Sequence, residues 1–336
     1  MSLQRYPNPM PIKPATPDAI SQAARYLAQG GLVAFPTETV YGLGADATNA
    51  LAVAGIFSVK GRPTFNPLII HLPTTEIAWR YAVPNPMAEK LAAAFWPGPL
   101  TLVLPQAPGS PIEDLATAGL PTVALRVPAH PVAQALMRQT RRPIAAPSAN
   151  KSNRVSPTSA AHVAADFDDE IPLILDGGET TVGLESTIID CSGQQPALLR
   201  PGGITRVELE HVLGTALANP TTRQSDSPSA PGQLASHYAP RATVRLNATN
   251  VRDGEALLAF GLPLTHRGPF KNLSENGDVL EAAARLFASL RALDATGVAS
   301  IAVMPIPHHG LGEAINDRLR RAASHRSRAS NTTRKK

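Results

Sequence analysis

The sequence predicts an α/β protein made of two domains. Three observations predict this fold class: a length of 336 residues, an alternation of strand-like apolar runs with helical patterns from residue 16 to about 213, and a second, shorter alternation after residue 241. At roughly 150 residues per domain, the length suggests about two domains. Apolar residues make up 43% and charged residues 17% of the chain, which excludes a wholly disordered protein. We therefore expect a first domain built on a mixed sheet and a smaller α/β domain after it.

The first domain begins with a helix whose ends the local sequence defines. Thr16 is a suitable N-cap, Pro17 suits the first helical position, and Gly30-Gly31 ends the helix. Short apolar runs then predict strands at 32–35, 68–72, 100–104, 122–127, 143–146, 173–175 and 187–190. Helical patterns lie between many of these strands, at 49–60, 87–95, 131–139 and 159–167.

The chain changes composition before the alternation resumes. Residues 215–241 are rich in Pro, Ser, Thr, Ala and Gly, which predicts a linker. Beyond the linker we expect strands at 243–246, 256–260 and 300–305, and helices at about 279–293 and 312–323. The predicted boundaries are 1–214 for the first domain, 215–241 for the linker, 242–324 for the second domain and 325–336 for a basic, disordered tail.

The excess positive charge lies in that tail. Residues 324–336 contain five basic residues and no acid, and the rest of the chain has 26 basic and 26 acidic residues. A neutral body argues against a strong electrostatic footprint for nucleic acid. The tail could add weak, salt-sensitive affinity for RNA.

The sequence also excludes several classes of protein. Cys191 is the only cysteine, which excludes an intramolecular disulfide framework and fits a reducing compartment. The N-terminus lacks the apolar core of a signal peptide, and no segment reaches the ~18 apolar residues of a membrane span, so we expect a soluble, cytoplasmic protein. No P-loop, complete GxGxxG fingerprint or HExxH spacing occurs, which argues against those nucleotide and zinc sites.

Polar residues cluster where predicted strands and helices end. A hydroxyl-rich turn at 36–43 follows the first strand, Lys60 and Arg62 end a helix, and Ser148 and Asn150 leave another strand. Ligands of α/β sheets bind outside the carboxyl ends of the strands, and these side chains can hold phosphate groups. Each of them singly could instead be a helix cap or a polar turn.

These segments resemble those of the threonylcarbamoyl-AMP synthase family in its long form, in which a linker and a C-terminal domain follow a YrdC-type domain. The resemblance covers roughly residues 16–323 and implies a YrdC-like mixed, twisted sheet with helices, followed by a smaller Rossmann-like α/β domain. The family's KxR and SxN signature falls on Lys60, Arg62, Ser148 and Asn150. The matching segments are PTETVYGLGADA at 36–47, KGRP at 60–63, NPLIIH at 66–71, FWPGPLTLVL at 95–104, TVALRVP at 122–128, APSANKS at 146–152, ESTIID at 185–190, RPGGIT at 200–205, SPSAPGQLASHYAP at 227–240 and GLGEAINDRLRRAA at 310–323.

The resemblance implies a nucleotidyltransferase. L-threonine, bicarbonate and ATP, accompanied by Mg²⁺, would give threonylcarbamoyl-AMP and pyrophosphate. The product would pass to the threonylcarbamoyl transferase machinery that forms N6-threonylcarbamoyladenosine in tRNA. Such a reaction needs positioning and charge neutralisation rather than a protein nucleophile, because the nucleophile is the substrate and the leaving group is an anion.

The same resemblance assigns candidate site residues. The catalytic set is Lys60, Arg62, Ser148 and Asn150. The ATP side would be Arg62, Asn66, Thr122, Ser148, Ser156, Arg200 and Tyr238. The threonine side would be Thr39, His71, Arg126, Ser186 and the backbone at Ala146. Arg126 suits a bidentate pair with the amino-acid carboxylate, and the resemblance assigns no metal ligand. We also expect the linker to fold over the ATP site as a lid, with Tyr238 near the nucleotide.

Other interpretations compete with this assignment. The chain could be a non-catalytic RNA-binding module of YrdC type, which RNA binding without turnover would reveal. A carbamoyl-transfer role, as in hydrogenase maturation proteins, would need zinc-finger segments that a single cysteine excludes. Residues 148–151 fit SxxK of penicillin-binding proteins, but the companion KTG is absent. His71 and Arg126 could instead be a structural cross-strand pair.

Overall fold

The computed structural model describes residues 12–167, 170–218 and 237–324. These residues divide into two compact units. The first unit contains residues 12–152, 157–181 and 185–218, and the second contains residues 153–156, 182–184 and 237–324, with 168–169 outside the description. The predicted tail at 325–336 and residues 219–236 of the predicted linker lie outside the described residues.

The first unit contains ten strands and eight helices among its described residues. The strands are β1 (Ile12–Pro14), β2 (Val33–Phe35), β3 (Gly42–Asp46), β4 (Ile69–His71), β5 (Leu100–Pro105), β6 (Thr122–Arg126), β7 (Ile144–Ala145), β8 (Ile174–Asp176), β9 (Thr187–Asp190) and β10 (Ala197–Arg200). The helices are α1 (Pro17–Ala28), α2 (Ala50–Lys60), α3 (Thr75–Ala78), α4 (Pro86–Phe95), α5 (Asp114–Thr117), α6 (Pro131–Thr140), α7 (Ala160–Phe167) and α8 (Arg206–Leu213). All strands join one sheet in the order β1-β8-β2-β3-β7-β4-β6-β5-β9-β10, with parallel and antiparallel neighbours. The predicted mixed sheet is confirmed.

Apolar side chains cover both faces of this sheet. Val33 and Phe35 of β2 join a core cluster with Leu27 of α1 and Leu136 of α6. Ala34, which lies between them, belongs to the other cluster, together with residues of α2. Successive strand residues point to opposite faces, so a strand covered on both sides is a continuous apolar run. This continuous apolar run is the reason that β2 could be predicted from the sequence.

The segment predicted as a turn at 36–43 ends earlier than expected. The loop covers 36–41, and Gly42 already begins β3, which pairs antiparallel with β2. A Cβ at Gly44 would lie 2.8 Å from the Phe35 ring and 2.9 Å from Cγ2 of Ile144. Glycine is therefore required inside this strand by close packing, whereas in a sequence it usually indicates a turn.

The second unit is a separate, smaller α/β structure. Its elements are β11 (Thr243–Arg245), β12 (Glu255–Ala259), β13 (Phe270–Asn272), α9 (Val279–Asp294), β14 (Ser300–Val303) and α10 (Gly312–Ala323). The four strands form a parallel sheet in the order β11-β14-β12-β13. The predicted α/β class of this part is confirmed, and β13 is an edge strand that the sequence analysis missed. Within the described parts of both units, no helix is both long and apolar enough to cross a membrane.

Candidate functional site

Three predicted site residues are the last residue of their strand. They are His71 of β4, Arg126 of β6 and Arg200 of β10. The strand pairings place the carboxyl ends of these strands at the same edge of the sheet, because β4 is parallel to β6, while β6 and β10 are joined through β5 and β9. Ligands of α/β sheets bind outside the carboxyl ends of strands, which is where these three side chains lie.

The loop between β2 and β3 is fixed by a threonine. The hydroxyl oxygen of Thr37 lies 2.7 Å from the carbonyl oxygen of Val40 and 2.7 Å from the hydroxyl oxygen of Thr39, and accepts from the amides of both residues. Thr37 is 2% exposed and Thr39 is fully buried. This turn therefore holds the Thr39 hydroxyl in one position, aimed at β6.

The Arg126 guanidinium is held on three sides. Its Nη1 donates to Thr39 Oγ1 at 2.9 Å, its Nη2 to Glu38 Oε1 at 2.7 Å and its Nε to the carbonyl oxygen of Gly98 at 3.3 Å. The side chains of Arg126 and Glu38 are 4% and 10% exposed. Arg126 and Thr39 are predicted from the sequence, whereas Glu38 is not, although this acid directly precedes Thr39 in the matched segment.

His71 lies beside Arg126 in the register of the two parallel strands. Its Nδ1 is 3.2 Å from the carbonyl oxygen of Ile69 and acts there as donor, since a carbonyl can only accept. Burial, together with the positive charge of Arg126, lowers the pKa of His71 to about 3. His71 is therefore a neutral imidazole at physiological pH and carries no charge that would compete with Arg126.

Lys60 joins the two segments of the KxR and SxN signature. Its ammonium donates to the carbonyl oxygen of Ser148 at 2.6 Å and to that of Asn150. The loop that carries Ser148 also pairs with Gly42, which begins β3. Burial and the charge of nearby Arg62 hold the pKa of Lys60 well below its usual range. The signature residues that are distant in sequence are therefore adjacent in the fold.

Arg62 and Asn66 form a second buried pair just after α2. Arg62 donates from Nε to the carbonyl oxygen of Asn66 at 3.2 Å and from Nη2 to that of Pro67 at 2.8 Å. Asn66 is 2% exposed, and its Oδ1 has no hydrogen-bond partner among the described residues. A buried acceptor normally receives a hydrogen bond, so a donor group of a ligand or a water molecule would complete this position.

Arg200 is bonded to a residue predicted for the other substrate. It donates from Nε and Nη2 to the carbonyl oxygen of Ser186, at 3.1 and 2.9 Å, and from Nη2 to Ser186 Oγ at 3.1 Å. The Ser186 hydroxyl also lies 2.7 Å from the hydroxyl of Thr101 on β5. Sequence reasoning missed Thr101, since an alternate residue of a buried strand carries no functional signal.

The remaining predicted residues lie in different places. Thr122 begins β6 and is half-buried. The amide of Ala146 donates to the carbonyl oxygen of Ile69 at 2.9 Å, so its backbone could serve a ligand only through the carbonyl. Ser156 and Tyr238 belong to the second unit.

Tyr238 and Ser156 have local packing partners in that unit. The ring of Tyr238 stacks on Phe287 of α9 at a centroid distance of 5.5 Å, and the Arg318 guanidinium lies 5.3 Å from the ring centroid. Ser156 is fully buried, and its carbonyl oxygen accepts from Arg291 Nε at 3.4 Å. In the described ranges no group of three or more His, Cys, Asp or Glu residues could hold a metal ion.

The chain is similar to known proteins over most of its length. A family model named for Sua5, YciO and YrdC and described as telomere recombination matches residues 25–202, and the model of the C-terminal domain of threonylcarbamoyl-AMP synthase matches residues 204–324. The threonylcarbamoyl-AMP synthase of Pyrococcus abyssi is 45% identical over 323 residues, which cover 90% of this chain and 94% of that protein. The enzyme of the same name from Bacillus subtilis is 41% identical over 326 residues, which cover 91% and 93%. The crystal structure of P. abyssi Sua5 complexed with L-threonine matches with a TM-score of 0.84 at 44% identity, over 91% of this chain and 94% of that one.

Proposed function

This chain belongs to the two-domain threonylcarbamoyl-AMP synthases, nucleotidyltransferases of tRNA N6-threonylcarbamoyladenosine formation, and we propose that it uses L-threonine, bicarbonate and ATP through the residues assigned below. The observation that carries the proposal is a set of buried basic side chains in the first unit. Lys60, Arg62, Arg126 and Arg200 are all at most 9% exposed. Substrates that bring a triphosphate and a carboxylate suit a site that contains several buried basic side chains.

We assign the amino-acid side to the end of β6 and its neighbours. Arg126 would pair with the carboxylate of L-threonine, and Thr39 and Ser186 would supply short polar contacts. His71, which is neutral at physiological pH, would line the site with an uncharged imidazole. The carbonyl oxygen of Ala146 would complete the shell as an acceptor for an N–H or O–H of the substrate.

We assign the ATP side to the two arginines that the first unit holds through carbonyl oxygens. Arg62 and Arg200 would donate to phosphate oxygens, since a planar guanidinium suits that geometry. The buried Oδ1 of Asn66 would accept from a nucleotide hydroxyl or amino group. The proposed set also contains Thr122, Ser148, Ser156 and Tyr238.

The chemistry we propose has two steps. The amine of threonine displaces water from bicarbonate and forms a carbamate, and a carbamate oxygen then attacks the α-phosphorus as the bond to the pyrophosphate oxygen breaks. The protein orients the carbamate and the phosphates and neutralises their charge. Lys60 would hold the loop of Ser148 and Asn150 through its hydrogen bonds to their carbonyl oxygens. It would also stabilise the phosphate and carbamate anions of the substrates. Mg²⁺ would enter bound to the phosphates of ATP.

We keep the domain and partner assignments of the sequence as proposals. Residues 1–214 would form the catalytic domain, 242–324 the C-terminal domain, and 215–241 a lid that includes Tyr238. The tRNA threonylcarbamoyl transferase machinery would consume the product. The lid assignment rests on sequence, because residues 219–236 lie outside the described residues.

Pyrophosphate release tests the proposed function. We expect release from ATP only when threonine and bicarbonate are both present, together with a product of the mass of threonylcarbamoyl-AMP. Arg285→Gln, on the exposed face of α9, is a control variant that should keep full activity. Its side chain is 55% exposed and pairs with Glu281. RNA binding without any pyrophosphate release would instead support the non-catalytic module.

A further inference from the structure

Glu38 is a buried acid next to the proposed substrate arginine that no assignment above uses. Its Oε1 accepts from Arg126 Nη2 at 2.7 Å, and its Oε2 accepts from the amide of Ala129 at 3.1 Å. Both carboxylate oxygens are therefore engaged, one by the arginine and one by the backbone just after β6. With the side chain 10% exposed, the carboxylate has little room to turn.

We propose that Glu38 is a positioning residue that fixes the Arg126 guanidinium for the carboxylate of the amino-acid substrate. This inference rests on the proposed role of Arg126 in holding that carboxylate. It concerns a residue 88 positions away from Arg126 in sequence, in the loop between β2 and β3.

Donor counting supports the positioning role. A guanidinium has five N–H groups, and three of them bond to Glu38, Thr39 and the Gly98 carbonyl. Among the described residues, two N–H groups of Arg126 have no partner, one on each terminal nitrogen, and a bidentate carboxylate uses two N–H groups. Because the three bonds come from two separate segments, the loop at 36–41 and the turn at Gly98, they define the plane in which those two N–H groups lie.

Charge balance supports it as well. Arg126 and Glu38 together are neutral, and the neutral His71 beside them adds no charge. An amino-acid zwitterion is also neutral overall, so it can enter without leaving a net charge in a buried place. Without the acid, the arginine would have an unbalanced positive charge and would attract simple anions such as acetate.

The second unit offers a matched control. Glu255 accepts from Arg245 Nη2 at 2.5 Å and Nε at 2.9 Å, and from the amide of Arg252 at 2.9 Å. It is 6% exposed. Glu255→Gln therefore breaks a pair of the same chemistry that has no proposed part in substrate binding.

Steady-state kinetics of Glu38→Gln test the inference. We expect KM for threonine to rise about tenfold, with KM for ATP and kcat changed less than about twofold, because the loss concerns binding of one substrate. Acetate should inhibit the variant more strongly than the parent. Glu255→Gln should lower Tm and leave both KM values unchanged. Equal threonine KM in Glu38→Gln and the parent would overturn the inference.

A double-variant cycle separates this inference from the assignment of Arg126. If Glu38 acts through the arginine, Glu38→Gln should have no further effect on threonine KM in an Arg126→Ala background. A further tenfold rise there would show that Glu38 acts by another route and would overturn the inference. An unchanged threonine KM in Arg126→Ala alone would instead refute the proposed function of Arg126.

Glu38→Asp covers the case in which the glutamine variant fails to fold. It keeps the negative charge and shortens the side chain by one methylene group, so the guanidinium is displaced while the ion pair persists. We expect about a threefold rise in threonine KM and a smaller thermal shift on adding threonine. An aspartate variant with parental values for both would count against positioning.

Discussion

Buried cations have different partners in the two units. In the first unit, Lys60 and Arg200 donate to backbone carbonyl oxygens, and Arg200 also donates to the Ser186 hydroxyl. In the second unit, Arg245 bonds to Glu255, and these bonds lower the pKa of Glu255 to about 2. A carbonyl oxygen orients a cation and leaves its formal charge in place, whereas a carboxylate cancels that charge. We propose that the first arrangement prepares a site for anions, whereas the second stabilises the fold.

Arg126 combines the two arrangements. It has two neutral acceptors, Thr39 and the carbonyl of Gly98, and one carboxylate, that of Glu38. A substrate that carries a carboxylate and an ammonium group needs a receptor with fixed donors and little net charge. The mixed set meets that need, which is the physical reason that we place the zwitterion here and the phosphates near Arg62 and Arg200.

The largest expected effect tests the stabilising half of the comparison. Asp317 bonds to Arg318 and Arg321, and Arg318 is fully buried. Although burial opposes the charged form, these arginines keep the pKa of Asp317 below its usual value. Asp317→Asn leaves a buried guanidinium without its carboxylate, and we expect a loss of about 3–5 kcal/mol in the free energy of unfolding.

Urea unfolding measures this loss of stability, and steady-state kinetics show whether substrate binding is also affected. At saturating ATP, the folded Asp317→Asn variant should keep the parental KM for threonine. Removing the exposed Arg285, whose partner is the i−4 acid Glu281, should cost less than about 1 kcal/mol. Equal losses of unfolding free energy in Asp317→Asn and Arg285→Gln would refute the stabilising role that we assign to the buried arginine–carboxylate pairs of the second unit.

The anion-binding half is tested at Arg62 and Arg200. Changing either residue to alanine should remove charge-assisted bonds to phosphate worth about 1.5–3 kcal/mol, so kcat/KM for ATP should fall roughly ten- to two-hundred-fold. Arg62→Lys should recover part of the loss, because it keeps the charge without the planar donor set. Parental turnover in both alanine variants would refute the phosphate assignment.

The neutral His71 predicts a dependence of stability on pH. In the unfolded chain a histidine has a pKa near 6.5, whereas burial first, and then Arg126, lowers the pKa of folded His71 to about 3. Between these values the unfolded state binds a proton that the folded state does not, so stability falls as the pH falls. The difference is about 2 kcal/mol at pH 5 relative to pH 7.

A non-titrating variant isolates this contribution. His71→Gln should lose less stability than the parent between pH 7 and pH 5, by about 2 kcal/mol in chemical unfolding at each pH. His308→Gln, at an exposed loop position of the second unit, should follow the parental slope. A parental slope for His71→Gln as well would mean that His71 takes up its proton in the folded state.

The sequence predicted the fold class and most elements because their signals are local. Thr16, Pro17 and the glycines after α1 define that helix within a few residues, and the structure confirms it with a hydrogen bond from the amide of Ala19 to Thr16 Oγ1. Continuous apolar runs likewise predicted β5 and β6. Among the strands that were not predicted, β3 contains two glycines, and the need for Gly44 arises from Phe35 and Ile144 across the sheet.

Site residues divide in the same way between local and distant causes. The matched segments of the family resemblance were enough to nominate Arg126 and Ser186 from sequence. Their supporting residues were not predictable, because Glu38 contacts Arg126 over 88 positions and Thr101 contacts Ser186 over 85. Such contacts exist only once the sheet has set the strand order, and a lone Glu or Thr carries no sign of them.

The smallest expected effect concerns one of these supporting hydroxyls. Thr101 is fully buried, and its Oγ1 lies 2.7 Å from the Ser186 hydroxyl, which Arg200 also contacts. Thr101→Val keeps the shape and removes that hydroxyl, so Ser186 retains the arginine and loses one of its two constraints. A net hydrogen bond is worth about 0.5–1.5 kcal/mol, which corresponds to a rise of about two- to twelvefold in KM for threonine.

Thr140→Val is the matched control, because its buried hydroxyl bonds only to the helix carbonyl of Leu136 at 2.7 Å among the described contacts. We expect parental kinetics from the control, since that bond supports a helix and no substrate group. If the two valine variants show the same threonine KM, the hydroxyl pair at Ser186 stabilises the sheet alone, and this part of the first unit belongs with the structural pairs of the second.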